Sequence, residues 1–139
     1  MSLFRYEEEL REALKKWVTE QGFEVFCEVP VCGKIPDVLG AKDGIIRIAI
    51  EMKLSNWKRA IEQAFVYEVF ANRSYIAMPE NKKRLLQKNI SEFNRWGIGI
   101  LIVCDDKRVE VLHHPKEKKV LYERRCSEII DREEVNVYT

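Results

Sequence analysis

The sequence predicts an α/β domain in which helices flank a central mixed β-sheet. Three observations carry this prediction: helical spacing of apolar residues near the N-terminus, a two-residue alternation over residues 45–53, and an unbroken apolar run over residues 98–104. An apolar run rich in Ile, Leu and Val is typical of a strand that is buried on both faces. The predicted elements have a core order of α-β-β-β-α-β, which a sheet with helices on both sides accommodates.

The first half of the chain provides one helix and three strands. The apolar positions of the first helix are Leu3, Tyr6, Leu10, Ala13, Leu14 and Trp17. Gly22 ends this helix, and a first strand follows over residues 23–29. Residues 37–41 and 45–53 form the other two strands. They are predicted to pair as a hairpin because Lys42-Asp43-Gly44 is a typical hairpin turn.

The second half alternates helices with strands. Ser55 or Asn56 caps a second helix, which is predicted to reach about residue 71. The later predicted elements are a strand at 73–78, a helix from Asn81 to before Gly97, the apolar strand at 98–104, and strands near 108–113 and 119–123.

The composition is that of one compact intracellular domain spanning residues 1–139. A chain of 139 residues with 46% hydrophobic content and no Ser/Gly/Pro-rich linker can bury one core but hardly two. No apolar run is long enough to cross a bilayer, and the N-terminus lacks the pattern of a signal peptide. We therefore expect a cytoplasmic protein with no membrane partner. Because the formal charge is only +1, any nucleic-acid surface must be a local patch.

The hairpin concentrates chemistry in three side chains, Asp37, Glu51 and Lys53. Residues two apart on a strand share a face, so Glu51 and Lys53 point the same way. The opposite face, which is predicted to enter the core, consists of Ile46, Ile48, Ile50 and Met52. Glu51 and Lys53 are therefore expected on the polar face of this strand.

The length of the hairpin loop decides whether Asp37 joins these two residues. A two-residue loop without a bulge pairs Asp37 with Ile50 and turns the carboxylate toward the core. A three-residue loop pairs Asp37 with Ala49 instead, on the same face as Glu51. We therefore predict the three-residue loop, with Gly44 at a bulge, or an equivalent bulge elsewhere in the hairpin.

Two carboxylates and an ammonium on one face are suited to metal-assisted hydrolysis of phosphodiesters. The carboxylates can hold a hard divalent cation, and the ammonium places a positive charge beside it. Each half of the set also has an ordinary interpretation. Pro36-Asp37 is a common turn start, and Glu51 with Lys53 is typical of a weak ion pair on a solvated strand. Their combination on two strands of one hairpin favours the metal site.

The order of helix, strand, Pro-Asp hairpin, Glu-x-Lys strand and helix resembles the PD-(D/E)xK nuclease superfamily, whose fold is called restriction-endonuclease-like. This superfamily includes archaeal Holliday junction resolvases and RecB-type nucleases. The resemblance extends to about residue 100 and lies more in the order of elements than in the sequence. It implies a metal-dependent deoxyribonuclease that acts on DNA with Mg²⁺ or Mn²⁺ as its cofactor.

The resemblance also implies roles for individual residues. Asp37 and Glu51 become metal ligands, and the Met52 carbonyl completes their shell. Lys53 becomes the catalytic lysine, which positions or activates the attacking water. The cation would stabilise the charge that develops on the scissile phosphate.

Three further positions match features of the same superfamily. Its members often supply an acidic residue from the first helix, where Glu7 faces the sheet and is a candidate metal ligand. The alternative is an acidic first turn that the helix dipole favours. Gln63 and Tyr67 resemble the Gln-x-x-x-Tyr motif of RecB-type nucleases, and they are expected to hydrogen-bond the catalytic strand or a DNA phosphate. The alternative is a polar Gln beside a half-buried Tyr on a docking helix.

Clusters of cations are the candidate DNA contacts. Lys58 and Arg59 begin the second helix, and Lys82, Lys83 and Arg84 begin the third. Such clusters can bind phosphates without sequence preference, although most charge clusters are solvated faces.

The chain shows no separate domain for reading a DNA sequence. Specificity is therefore expected from a partner, from DNA structure, or from a homodimer that grips a junction. The alternative function is a non-catalytic DNA-binding or regulatory module that keeps the nuclease fold. A second alternative is a structural interaction protein in which Glu51 and Lys53 only pair at the surface.

Overall fold

The computed structural model describes residues 4–125, which form a six-stranded mixed sheet flanked by helices. The strands are β1 (Glu24–Cys27), β2 (Val38–Lys42), β3 (Ile45–Met52), β4 (Arg73–Pro79), β5 (Gly99–Val103) and β6 (Val109–His113). They lie in chain order across the sheet. The β3–β4 and β4–β5 pairs are parallel, and the other neighbouring pairs are antiparallel. The α/β class with a mixed sheet and flanking helices is therefore confirmed.

Helices cover both faces of this sheet. The α-helices of residues 4–125 are α1 (Arg11–Glu20), α2 (Trp57–Val66), α3 (Lys83–Lys88) and α4 (Ile90–Trp96), with 3-10 turns at Glu7–Leu10, Tyr67–Val69 and Glu80–Lys82. Leu14 of α1 packs on one face, whereas Ile61 of α2 and Phe93 of α4 pack on the other. Within the described residues, no helix has both the length and the apolar character needed to span a membrane.

The second helix ends sooner than predicted, and the predicted third helix is interrupted. The Asn56 side chain accepts a hydrogen bond from the Arg59 N–H at 3.4 Å and caps α2, as expected, but α2 gives way to a 3-10 turn at Tyr67. The predicted third helix is divided at Asn89, whose side chain donates to the Leu85 carbonyl at 2.8 Å. Helical periodicity continued across both breaks, so it did not reveal them.

The strand predicted at 119–123 is wrong. The Lys118 N–H donates to the Asn72 carbonyl at 2.8 Å, and the N–H groups of Leu121 and Tyr122 both donate to the Val69 carbonyl at 3.1 and 3.0 Å. These acceptors belong to a turn and a connecting segment rather than to a strand. The segment therefore crosses the ends of neighbouring elements instead of extending the sheet.

The β2–β3 hairpin has a two-residue loop, so the predicted three-residue loop is wrong. Lys42 pairs with Ile45 across Asp43 and Gly44. Both loop residues have positive φ angles, 55° for Asp43 and 75° for Gly44. A tight hairpin turn that matches the twist of its strands requires this conformation, and an Asp-Gly pair adopts it readily.

A bulge in β3 is present, as the alternative prediction allowed, but it pairs Ala49 with Leu39, so the predicted pairing of Asp37 with Ala49 is wrong. Ala41 pairs with Ile46. Gly40 pairs with Ile48, and Arg47 is left without a partner in the ladder. Ile48 packs toward α1, but Ile46 packs on the opposite face of the sheet. The prediction that Ile46 and Ile48 share a face is therefore wrong, because the extra residue reverses the alternation between them.

Candidate functional site

Asp37 lies at the end of the hairpin, one residue before β2. Continuing the register from the Val38–Ile50 pair places Asp37 opposite Glu51. The Asp37 carbonyl accepts a hydrogen bond from the Glu28 N–H at 3.3 Å, and its carboxylate Oδ2 accepts one from the Met52 N–H at 2.7 Å. These bonds hold the carboxylate at the carboxyl end of β3.

Glu51 is a buried carboxylate, with 5% of its surface exposed. Its Oε1 atom accepts a hydrogen bond from the Tyr67 hydroxyl at 2.8 Å, and the Asp37 carboxylate lies close enough for a hydrogen bond. Burial and then the charge of Asp37 raise the pKa of Glu51 to about 8, against the opposing effects of the Tyr67 bond and the Lys53 charge. A buried carboxylate beside a half-buried one favours a shared proton or a bound cation.

Tyr67 connects the end of α2 to the strand that carries Glu51. The residue is 5% exposed, and burial followed by the nearby Glu51 charge raises the pKa of Tyr67, which keeps its hydroxyl protonated as a donor. Of the two contacts considered for Tyr67, the bond to the strand that carries Glu51 is present. The hydroxyl is directed into the protein rather than toward a ligand at the surface.

Seven of the site residues predicted from the sequence line one cleft of about 620 Å³. The sequence-predicted residues that line it are Glu7, Asp37, Glu51, Lys53, Arg59, Gln63 and Tyr67. The Lys53 N–H donates to the Ala77 carbonyl at 3.0 Å, which fixes the backbone at the end of β3. The lysine side chain is therefore placed beside the carboxylates by the strand itself.

The oxygen donors at this position fit a hard divalent cation. Mg²⁺ is usually bound by one or two carboxylates and keeps several waters, and Asp37 with Glu51 can supply that set. In an extended strand the carbonyl of a residue points to the same edge as its N–H, so the Met52 carbonyl faces Asp37 as well. The donors offered are thus two carboxylates and one carbonyl.

Glu7 does not complete a third carboxylate position. Among residues 4–125, no three His, Cys, Asp or Glu side chains lie close enough together to hold a metal ion. Glu7 is half-buried, as expected for a residue that faces the sheet, whereas Glu8 and Glu9 are exposed. Glu7 and Met52 also line an adjoining cleft of about 390 Å³ with Asp37. Glu7 therefore stands at the edge of the site.

Gln63 carries an unpartnered polar atom at the cleft. Its Oε1 is buried and has no hydrogen-bond partner among the described residues. Buried side-chain acceptors are usually paired in native proteins, so such an atom indicates a missing ligand or water. Gln63 lies one helical turn before Tyr67 on the same side of α2.

The predicted DNA-binding cations divide between the cleft and other surfaces. Arg59 lines the cleft. Lys58 lies 5.6 Å from the centre of the Trp57 ring, in a groove between α2 and α4. Lys83 forms an ion pair with Glu110 of β6 at 2.9 Å. Lys82 and Arg84 flank Lys83 at the start of α3, outside the cleft.

A turn at residues 31–34, which was not predicted from the sequence, forms the other wall of the cleft. Lys34 and Ile35 line the cleft, and Ile35 is 60% exposed. The N–H groups of Val31 and Lys34 each donate to the other residue's carbonyl, at 2.8 and 2.9 Å. Cys32 and Gly33 occupy the tip with positive φ angles of 51° and 76°. The Cys-Gly pair was the available signal for this turn.

Comparisons with known proteins provide no additional assignment. No protein-family model matches the chain, and no curated protein matches it at a significant level. The functional interpretation therefore depends on the geometry of the cleft and on the sequence motif that produces it.

Proposed function

We propose that the protein is a metal-dependent nuclease that hydrolyses phosphodiester bonds in DNA. The proposal is carried by the placement of Asp37 opposite Glu51, with both carboxylates in a cleft that Lys53 also lines. Two like charges at such close range are unfavourable, and a divalent cation between them is a simple compensation. The resemblance to PD-(D/E)xK nucleases, with their restriction-endonuclease-like fold, supports the same assignment.

The polar residues at the centre of the cleft have separate roles in this proposal. Asp37, Glu51 and the Met52 carbonyl would hold Mg²⁺ or Mn²⁺, which would stabilise negative charge on the scissile phosphate. Lys53 orients the attacking water and favours its deprotonation through its positive charge. Tyr67 fixes the orientation of Glu51 through its hydrogen bond, as supporting groups around metal ligands commonly do.

The DNA strand is bound by groups on the two walls of the cleft. Arg59 extends from α2 and Lys34 from the 31–34 turn, so two cations are available for phosphates on either side of the cleaved bond. Gln63 can accept a hydrogen bond from the attacking water through its unpartnered Oε1. These contacts are to the backbone and to water, which implies little sequence preference.

The proposal is tested by incubation with linear, single-stranded, nicked and four-way-junction DNA in Mg²⁺ or Mn²⁺. We expect the wild type to cut at least one substrate, and we expect Lys53→Ala to reduce the rate by about 100-fold or more. Lys88→Ala is the matched control, because Lys88 is exposed at the end of α3 and does not line the cleft.

Two outcomes would count against the proposal. Cleavage that is unchanged in Lys53→Ala would reject the role of the lysine. Binding of DNA without cleavage of any substrate in either metal would identify the protein as a non-catalytic DNA-binding or regulatory module.

A further inference from the structure

A second groove lies on the opposite face of the sheet from Tyr67, beneath α1. It measures about 740 Å³ and is lined by cations from three adjacent strands: Lys42 of β2, Arg47 of β3 and Arg73 of β4. Trp17 and Tyr75 border the same groove, and their rings meet edge to face with centroids 5.6 Å apart. The groove therefore combines a row of positive charges with an aromatic wall.

The positive charges in this groove exceed the negative charges that could neutralise them. Glu117 is the carboxylate that lines it, and its Oε1 lies 3.4 Å from Arg73. Within residues 4–125, Lys42 and Arg47 have no carboxylate within the 4.0 Å of an ion pair, and Arg47 donates only to the Asn72 side chain at 3.4 Å. This excess of positive charge in a concave groove favours an anionic ligand.

The bulge in β3 directs Arg47 into the groove. Arg47 is the residue that the β2–β3 ladder leaves unpaired, and it lines the groove together with its neighbour Ile48. Without Arg47 the ladder would pass directly from Ile46 to Ile48 and keep both on their present faces. β-Bulges often redirect a side chain beside a functional site. The extra residue thus adds a guanidinium to the groove and is not needed for strand pairing.

We propose that this groove binds a nucleoside phosphate. Lys42, Arg47 and Arg73 bind the phosphate, for which the planar guanidinium groups are well suited. Trp17, which is half-buried, contacts the base or sugar, and the buried Tyr75 supports it through their edge-to-face packing. The volume is in the range of small-molecule sites. The ligand is either a free nucleotide or the terminal nucleotide of a strand, because both present the same chemistry.

This site is independent of the proposed nuclease centre. The groove uses the amino-terminal ends of β3 and β4, whereas Asp37, Glu51 and Lys53 lie at the carboxyl end of β3 on the other side of the sheet. Binding in the groove therefore requires neither those residues nor a metal ion. Experiments in the presence of a chelator separate the two proposals.

The test is calorimetric titration of the full chain with deoxyadenosine monophosphate in EDTA, alongside inorganic phosphate and deoxyadenosine. We expect saturable binding of the nucleotide and at least about tenfold weaker binding of each fragment. Arg47→Ala should weaken nucleotide binding by about tenfold or more, because it removes a charge-assisted contact. Arg95→Ala, at an exposed arginine of α4, should leave the affinity unchanged.

A second variant tests the site even if Arg47→Ala does not fold. Lys42→Gln alters an exposed strand end and should also weaken nucleotide binding, with its circular dichroism spectrum unchanged. A 5′-phosphorylated dinucleotide distinguishes a strand terminus, which should bind more tightly than the mononucleotide, from a free nucleotide, which should bind more tightly than the dinucleotide. Either result supports the site. Absence of saturation, equal binding of phosphate alone, or unchanged affinity in both folded variants would overturn it.

Discussion

Folding favours a protonated Glu51, whereas the proposed catalysis requires Glu51 to be ionised. It is buried beside Asp37, and these surroundings raise the pKa of Glu51 to about 8. The unfolded chain releases the same proton near pH 4.5. Between these values the folded state binds more protons than the unfolded state, so stability declines as the pH rises. A cation beside the ionised carboxylate would offset this loss.

Glu51→Gln should stabilise the metal-free protein at alkaline pH. The amide removes the buried charge, and its carbonyl can still accept the bond from Tyr67. The advantage over wild type should grow from pH 5 to pH 8 and then level off, reaching on the order of 3 kcal/mol. Thermal melts in EDTA across this pH range provide the measurement, with an expected rise in Tm of roughly 5–10 °C at pH 8.

Glu24→Gln is the matched control for this substitution. Glu24 is exposed on β1 and does not line the cleft, so its replacement should shift Tm little at any pH. A Glu51→Gln protein that melts below wild type at pH 8 in EDTA would show that the carboxylate is not under the strain described here.

The β2–β3 hairpin is the element that brings the two carboxylates together. Its two-residue turn and its bulge act in combination, because the turn alone would place Asp37 opposite Ile50. The bulge leaves Arg47 unpaired and shifts the register of the two strands by one residue, which brings Asp37 opposite Glu51. The same irregularity thus sets the register of the carboxylate pair and exposes Arg47 to the second groove.

Deletion of Arg47 should separate these two consequences. The remaining residues can pair without a bulge while Asp37 stays opposite Glu51, so Mn²⁺ affinity should remain within about threefold of wild type. Nucleotide binding in the second groove, beneath α1, should fall by about tenfold or more. Isothermal titration with each ligand measures both effects. Loss of Mn²⁺ affinity in a variant with a native circular dichroism spectrum would contradict the proposed register.

The sequence was informative where a local pattern dominates and silent where distant segments meet. The alternation over residues 45–53 and the Asp-Gly turn sufficed to predict the hairpin. The bulge at Arg47 escaped prediction in detail because its position depends on packing of Ile46 and Ile48 on opposite faces. The strand expected at 119–123 failed because its backbone partners, including Asn72 and Val69, are remote in sequence.

At the scale of the whole molecule, positive side chains are grouped at separate sites although the net charge is small. The net charge of +1 includes positive side chains at three places: the cleft of Asp37 and Glu51, the second groove beneath α1, and the start of α3. For a homodimer, one of the expected sources of specificity, β5 is not an available surface, because it lies between β4 and β6 and is buried throughout. Trp96, which packs against Phe65, is 39% exposed and is available.

DNA affinity should depend on which positive position is removed. Arg59→Ala should weaken DNA binding in Ca²⁺ by about three- to tenfold and reduce the slope of log affinity against log salt by about one. Lys83→Ala should have a smaller effect, because Glu110 already engages that lysine at 2.9 Å. Fluorescence anisotropy over a range of salt concentrations measures both. A larger loss for Lys83→Ala would place the DNA on α3 instead of the cleft.

Titration of the protein with Mn²⁺ at pH 8 tests the central claim most directly. The wild type should bind the ion, and Asp37→Asn should lose that binding because one of the two adjacent carboxylates is gone. Asp43→Asn is the matched control, since Asp43 lies in the exposed hairpin turn and Asn tolerates its positive φ of 55°. Equal Mn²⁺ binding by wild type and Asp37→Asn, or no binding by either, would contradict the account.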